Sequence, residues 1–200
     1  MNKRFRIVSA LIFLGFVGVL IFQHPDAFGL HESTKSSTAV KIENIEWAFT
    51  KADQHPEALL IQTIDSAQKS IDVAIYSLTH PEIVNALKQA HQRGIEIRMI
   101  VDRSQSEGKA MNEALKILGS AGISMKTNQH SGLMHLKMII VDQEVASTGS
   151  FNFSKAAATR NDEIVVLIKD NQVADSFTAE FDRMWHDQKS FVQIRPVIAN

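Results

Sequence analysis

Short apolar runs alternate along most of this chain with stretches in which apolar residues recur every three or four positions. The runs are rich in β-branched residues and predict strands at Ile42–Phe49, Ile71–Tyr76, Ile95–Val101, Ile123–Met125, Leu136–Val141, Val145–Thr148 and Ile164–Ile168. The helical spacing predicts four helices, which begin near Pro56, Pro81, Ala110 and Val173. Because strands alternate with helices, we expect an α/β fold: a mixed, largely parallel β-sheet with helices on both faces.

The N-terminal segment has a different pattern from the rest of the chain. Lys3, Arg4 and Arg6 precede an uncharged apolar run over residues 7–22. This run is longer than the core of a typical signal peptide and shorter than a typical membrane-spanning helix. Residues 1–29 therefore predict either a signal peptide or an N-terminal membrane anchor. Both alternatives place the following chain outside the cytoplasm, in the periplasm or the medium, because the basic end stays inside.

Residues 30–41 are polar and rich in Ser and Thr, which is typical of a linker. The folded domain is therefore expected to occupy residues 42–200. Under the anchor alternative, the apolar run at 7–22 is the part of the chain that contacts a membrane.

Composition excludes several classes of protein. The 200 residues are 44% hydrophobic and 22% charged, with a net charge of −1, which excludes an intrinsically disordered chain. Cysteine is absent, so the chain has no disulfide framework, zinc finger, iron–sulfur centre or thiol nucleophile. The near-neutral charge argues against a uniformly cationic surface for nucleic acid, although a local basic patch is compatible with it.

One segment concentrates side chains that suit phosphoryl chemistry. His135 and Lys137 stand two residues apart at the start of a predicted strand, so their side chains share one face. An imidazole can act as nucleophile, base or acid, and an ammonium can hold a phosphate oxygen. Asp142 has the opposite parity, which predicts a structural role at the strand end. Ser150 and Asn152 follow on the next loop, where short polar side chains can stabilise a phosphoryl transition state.

The spacing His135-x-Lys137-x4-Asp142, followed by Gly149-Ser150, resembles the signature motif of the phospholipase D superfamily. Further stretches are similar to the small single-motif nucleases of that superfamily, and the resemblance covers residues 45–188. These stretches are Gly149–Ser154, Arg160–Glu163, Ile71–His80 and Arg93–Asp102. The resemblance implies a phospholipase D-like fold and phosphodiester hydrolysis.

The resemblance also implies a role for each residue of the motif. His135 would attack phosphorus and form a phosphohistidine intermediate, which water then hydrolyses. Lys137, Ser150 and Asn152 would bind the phosphate oxygens. Glu163 matches the family position whose carboxylate hydrogen-bonds the catalytic imidazole, a contact that fixes the tautomer. Asp142 completes the motif and is included among the candidate site residues for that reason.

The same chemistry needs two histidines, one as nucleophile and one as acid for the leaving oxygen, and this chain carries the motif once. His130 and His80 lack the surrounding motif residues. We therefore expect a homodimer with the active site across its two-fold interface. No cofactor is implied. Asp102 and Asp142 both end predicted strands and are expected to be structural rather than metal ligands, because Lys137 supplies the positive charge.

The sequence thus predicts a metal-independent phosphodiesterase, and the first hypothesis is an exported endonuclease that cleaves DNA or RNA. Phe151 and Phe153, next to the motif, can either stack on bases or pack in the core. The alternative is a phospholipase D that hydrolyses phosphatidyl lipids such as phosphatidylcholine, which the N-terminal segment favours. Anchored eukaryotic relatives that cleave cardiolipin or RNA carry a cysteine-containing finger, which this chain lacks. A membrane-tethered module that binds phosphodiesters without cleaving them is a third hypothesis, disfavoured by the intact motif.

Overall fold

A computed structural model describes residues 44–194 of the chain. The predicted signal peptide or anchor and the predicted linker lie outside the described residues. Within residues 44–194, no helix is both long enough and apolar enough to cross a membrane.

The described part of the chain forms eight strands and six helices. The strands are β1 (Ile45–Phe49), β2 (Ser70–Ile75), β3 (Glu96–Val101), β4 (Ser124–Asn128), β5 (Lys137–Val141), β6 (Val145–Gly149), β7 (Ile164–Ile168) and β8 (Phe191–Gln193). The helices are α1 (Pro56–Ser66), α2 (Pro81–Gln92), α3 (Arg103–Ser106), α4 (Lys109–Ser120), α5 (Lys155–Thr159) and α6 (Asn171–His186). All predicted elements are present with small shifts at their ends. The short elements α3, α5 and β8 are additional.

The helix boundaries follow from local residues. Pro56 and Pro81 occupy the first turns of α1 and α2, where the missing N–H has no intrahelical partner to lose. Asp170 and Ser154 cap α6 and α5, because each side-chain oxygen accepts a hydrogen bond from the backbone N–H three residues on. The cap at Ser154 explains why a single helical turn forms between β6 and β7.

All eight strands belong to one sheet, in the order β1-β7-β6-β5-β2-β3-β4-β8. The pairs β2–β3 and β3–β4 are parallel, and the other five pairs are antiparallel. The predicted mixed α/β fold is confirmed, but the expectation of a largely parallel sheet is wrong. A parallel pair needs a crossover of about a dozen residues, and helices supply it after β2 and β3. Between β5 and β6 only residues 142–144 intervene, so these strands form a hairpin.

The core lies on both faces of the sheet. One apolar cluster lies between the sheet and the helices α1, α2 and α4, and a smaller one lies between the sheet and α6. Strand β5 contributes to both clusters because successive side chains alternate: Ile139 and Val141 face the first, and Met138 and Ile140 face the second. The predicted placement of helices on both faces is therefore confirmed.

One edge of the sheet collects segments that are distant in sequence. Strands β2, β3 and β6 end there, and β5 and β7 begin there, as the pairing registers require. The register places Ile75 beside Lys137 and Gly149 beside Val165. We call this the site edge; it comprises residues 75–76, 101–102, 135–137, 149–152 and 163–165.

Candidate active site

His135 and Lys137 lie together at the site edge. His135 precedes the first residue of β5, in a segment that β2 still holds because Tyr76 N donates to Leu136 O at 2.9 Å. Lys137 Nζ lies 3.1 Å from each ring nitrogen of His135 and donates to the His135 carbonyl at 2.9 Å. The imidazole is exposed, whereas Lys137 is only 9% exposed. An accessible imidazole therefore stands beside a largely buried ammonium.

Burial changes the electrostatics of Lys137. It lowers the pKa of the ammonium below its ordinary value, and the negative charge of Glu163 opposes that shift. A partly dehydrated cation attracts an incoming anion more strongly than a cation in bulk water. The arrangement therefore suits the binding of a phosphate oxygen next to the imidazole.

Tyr76 supports both side chains from beneath. Its ring centroid lies 4.5 Å from that of His135, and Lys137 Nζ lies 5.0 Å from it. Gln105 Nε2 donates to the Tyr76 hydroxyl at 3.1 Å, which holds the ring in place. Tyr76 was not among the predicted site residues. The available signal was its position at the end of a predicted strand, next to the sheet edge.

Asp102 holds the backbone that leads into His135. It is 1% exposed, and its carboxylate accepts hydrogen bonds from Met134 N at 2.9 Å, Ser104 Oγ at 2.5 Å and Gln105 N at 3.2 Å. The structural role expected for Asp102 is confirmed by these contacts. The described residues 44–194 contain no group of three or more His, Cys, Asp or Glu arranged to hold a metal ion.

The loop after β6 is tied to the start of β7 by polar side chains. Ser150 Oγ donates to Glu163 Oε2 at 2.5 Å, and Asn161 Nδ2 donates to Glu163 Oε1 at 3.0 Å. Within one subunit the carboxylate of Glu163 is therefore hydrogen-bonded to Ser150 and Asn161, and its implied contact with the catalytic imidazole stays a prediction. Asn161 was not predicted, although it stands within the stretch that carried the resemblance.

Asn152 lies between two buried aromatic residues. Phe151 and Phe153 are each 1% exposed and belong to the core, which decides between the alternatives left open by the sequence and excludes base stacking by either ring. Leu78 bridges to Phe153 and holds this loop beside the end of β2. Asn152 Oδ1 is shielded from solvent and has no hydrogen-bond partner among residues 44–194. Buried amide oxygens are usually paired. This oxygen can only accept a hydrogen bond, so a phosphate oxygen would have to be bound by the Nδ2 group of the same amide.

Gly149 allows β6 and β7 to approach each other closely just before Ser150. Its φ is +149°, and a Cβ at this position would lie 2.1 Å from the carbonyl oxygen of Ile164. Only glycine fits such a position without a shift of the backbone. The glycine of the motif therefore meets a packing requirement that places Ser150 at the site edge.

Asp142 lies at the opposite end of β5 from His135. Its carboxylate accepts hydrogen bonds from Gln68 N at 2.8 Å, Lys69 N at 2.7 Å and Ser70 N at 2.9 Å, and so fixes the connection from α1 to β2. Its inclusion among the candidate site residues is corrected accordingly. Asp142 instead has the structural role at the end of β5 that its parity predicts.

We expect Asp142→Asn to lower the free energy of unfolding by about 1–2 kcal/mol at neutral pH. Asparagine tolerates the φ of +55° found here and keeps the oxygen that accepts from Lys69 N and Ser70 N. It loses the charge and the oxygen that accepts from Gln68 N. Burial acts to raise the pKa of Asp142, but the three backbone hydrogen bonds outweigh it and hold the pKa below its ordinary value. The stabilisation is therefore present above the unfolded-state pKa of about 3.9 and is lost as pH falls through the lower folded-state pKa.

Urea denaturation of both proteins between neutral pH and about pH 2.5 measures this effect. The difference in unfolding free energy should be constant near neutrality and should shrink below about pH 4. A difference that does not depend on pH would show that the charge of Asp142 contributes nothing to stability.

The other two histidines considered for the acid role lie elsewhere. His80 is buried at the start of α2, and the ring of His130 packs edge-on against Phe191 at 5.4 Å between centroids. Neither hydrogen-bonds to His135 within the described part of the chain. Residues 44–194 therefore present His135 at the site edge without a second histidine bonded to it.

Comparison with known proteins gives consistent matches. Residues 60–185 match the family described as "Cardiolipin synthase, PLD-like domain". A protein of Rickettsia felis named phospholipase D is 31% identical over 188 residues, covering 88% of this chain and 92% of the relative. The mitochondrial cardiolipin hydrolase of Mus musculus is 32% identical over 129 residues, covering 64% of this chain and 57% of that protein. Nuc from Salmonella typhimurium, a phospholipase D family member of known structure, is 32% identical with a TM-score of 0.71, covering 76% of this chain and 97% of that one.

Proposed function

Since the chain belongs to the phospholipase D superfamily and is a phosphodiester hydrolase, we propose that it is an exported endonuclease that cleaves DNA or RNA without a metal ion. The observation that carries the proposal is the pair formed by the exposed imidazole of His135 and the buried ammonium of Lys137, 3.1 Å apart at the site edge. The ammonium supplies the positive charge that a divalent ion supplies in other nucleases.

The proposed reaction proceeds in two steps. A ring nitrogen of His135 attacks phosphorus, an N–P bond forms, and the P–O bond to the leaving oxygen breaks as that oxygen takes a proton from a second histidine. Water then attacks the phosphohistidine and breaks the N–P bond. Lys137, Ser150 and Asn152 bind the phosphate oxygens. Without substrate the Ser150 hydroxyl donates its one proton to Glu163, and in the proposed complex it donates that proton to a phosphate oxygen instead.

The shape of the site supports a polymeric substrate. His135 and Ser150 are exposed on an open sheet edge rather than enclosed in a deep pocket. A nucleic-acid strand can lie across such an edge and bring one phosphodiester to His135, whereas an enclosed apolar pocket is typical of sites that take small lipophilic ligands. The burial of Phe151 and Phe153 means that any base stacking must come from another aromatic residue.

The proposal includes a homodimer. The leaving oxygen needs an acid, and within residues 44–194 no second histidine hydrogen-bonds to His135. A two-fold axis near the site edge would bring the partner subunit's His135 to the same phosphate, because isologous interfaces juxtapose identical residues. Export is proposed from the basic residues and apolar run of the N-terminal segment.

A phospholipase D acting on phosphatidyl lipids is the second candidate. The observation that favours it is the R. felis protein named phospholipase D, 92% of which aligns with this chain. Both candidates use the same phosphoryl chemistry, so the substrate distinguishes them.

The test is to incubate the purified full-length chain with single-stranded DNA, double-stranded DNA, RNA and phosphatidylcholine vesicles in excess EDTA. We expect nucleic-acid fragments in the presence of the chelator and no release of choline. Choline release without nucleic-acid cleavage would make the protein a phospholipase D. Binding of a phosphodiester without product from any substrate would show a binding module.

A further inference from the structure

A cavity of about 200 Å³ adjoins the candidate active site. We call it the flanking pocket; it is lined by Phe49, Lys51, Ser150, Asp162, Glu163 and Ile164. Ser150 and Glu163 belong to the site itself, so anything bound in the pocket touches groups beside the reacting phosphate. Pockets that enclose a whole small-molecule ligand usually measure about 300–1,000 Å³. The flanking pocket is therefore sized for a single ring system.

Phe49 gives this pocket an exposed aromatic wall. It lies on β1, paired with Ile164 of β7, and is 42% exposed. Its neighbour Ala48 is buried on the helix-covered face of β1, and Phe49 therefore points to the opposite face, away from that core. Burying a phenylalanine side chain is strongly favourable. Phe49 is nevertheless exposed beside the candidate active site, where its ring can stack on a ligand.

The pocket carries one ammonium, Lys51, and two carboxylates, Asp162 and Glu163. Lys51 and Asp162 are both exposed, and neither forms an ion pair within residues 44–194. A carboxylate accepts hydrogen bonds from the amino group of a nucleobase, and a lysine contacts phosphate. An aromatic face, a carboxylate and an ammonium around a ring-sized cavity match the parts of one nucleotide.

We propose that the flanking pocket is a nucleobase subsite, which holds the base next to the scissile phosphate. Phe49 stacks on the base, Asp162 accepts a hydrogen bond from its amino group, and Lys51 contacts the neighbouring phosphate. Cytosine, adenine and guanine present such an amino group, whereas thymine and uracil have none and present carbonyl oxygens that a carboxylate repels. The inference rests on the proposed endonuclease function and adds a base preference to it.

A quaternary ammonium headgroup is the competing occupant, because aromatic rings and carboxylates also bind such cations. Asp162 and Glu163 attract such a cation, whereas Lys51 repels it. Lys51, which can contact a phosphate, and the open sheet edge, along which a strand can lie, favour the base, and choline release from phosphatidylcholine vesicles serves as a separate readout in the experiment.

The experiment measures kcat/KM of the full-length chain in EDTA on oligonucleotides of equal length made of dC, of dT, and of dC with one abasic position. The variants are Phe49→Leu, Phe49→Trp and Asp162→Asn. Trp47→Leu is the matched control, because Trp47 is a similarly exposed aromatic residue on the same face of β1 but does not line the pocket. Circular dichroism and urea denaturation check that each variant is folded.

We expect Phe49→Leu to lower kcat/KM on dC about tenfold, Phe49→Trp to retain most of it, and Trp47→Leu to change it less than twofold. Asp162→Asn should reduce the preference for dC over dT towards unity. Equal effects of Phe49→Leu and Trp47→Leu, or no preference of the wild type among the bases, would overturn the subsite while the endonuclease function stands. If the wild type releases choline and cleaves no oligonucleotide, the proposed function itself is wrong and the base assignment falls with it.

Discussion

His135→Ala should abolish hydrolysis, with kcat/KM falling by about 10⁴-fold or more. The imidazole is the proposed nucleophile, and the neighbouring Lys137, as an ammonium, has no lone pair with which to replace it. The ring is exposed, so its removal leaves no buried cavity and the protein should remain folded. Activity in EDTA, compared at equal concentrations of folded protein, measures the effect.

His186→Ala is the control for the His135 substitution. His186 is an exposed histidine on α6, bonded to the Asp182 carbonyl at 2.8 Å, so the same chemical change is made away from the site edge. We expect it to retain wild-type activity. Retention of substantial hydrolysis by His135→Ala would contradict the assignment of the nucleophile.

The His135→Ala variant also tests whether the active site is shared between two subunits. If one site uses His135 from each subunit, a mixed dimer of wild type and His135→Ala contains only one of the two catalytic imidazoles and is inactive. Adding an excess of the variant to a fixed amount of wild type, with time for subunits to exchange, should therefore reduce activity well below that of the wild type alone. Light scattering after size-exclusion chromatography checks the dimer. Unchanged activity in the mixture of exchanged subunits would contradict the shared site.

Gly149→Ala should lower the free energy of unfolding by about 3–5 kcal/mol, the sum of overpacking and a strained backbone. The added Cβ meets the Ile164 carbonyl oxygen at 2.1 Å, and neither backbone atom can move without separating β6 from β7. Because Ser150 is bonded to Ile164 across the same gap, the site should lose its geometry together with stability. Urea denaturation and activity in EDTA measure the two losses.

Gly94→Ala is the control that separates the effect of the close contact at Gly149 from the effect of backbone strain. Gly94 also has a positive φ, +93°, but a Cβ there would meet nothing within 4 Å. We expect a loss of about 1 kcal/mol and unchanged activity. If both substitutions cost the same, the approach of β6 to β7 is not what requires glycine at position 149.

The local sequence pattern was sufficient to predict most helices and strands and the pair of His135 and Lys137 at the centre of the site. The period of two along a strand predicts that His135 and Lys137 share a face, and their side chains are in contact. The same parity separates Asp142 from them, and it lies at the far end of β5. Helix starts at Pro56 and Pro81 also depend on neighbouring residues alone.

Strand pairing, in contrast, is a property of the whole chain. The alternation of strands and helices suggested parallel neighbours, but the three residues between β5 and β6 allow only an antiparallel pair. The pair β6–β7 is antiparallel although residues 150–163, with α5 among them, separate the two strands. The burial of Phe151 and Phe153 likewise depends on which elements pack over them, and no local feature distinguishes a core ring from a ring that stacks on a base.

The identity of the superfamily and the residues of its motif were therefore readable from the chain, because they depend on residue type and short spacing. The contacts that complete the site were decided by the tertiary structure. Glu163 contacts Ser150 because β6 and β7 pair in one register. Phe49, which is more than 100 residues away in sequence, lies beside them because β1 pairs with β7. Such contacts depend on long-range pairing, whose free energy is shared among many residues and leaves no short signature in the sequence.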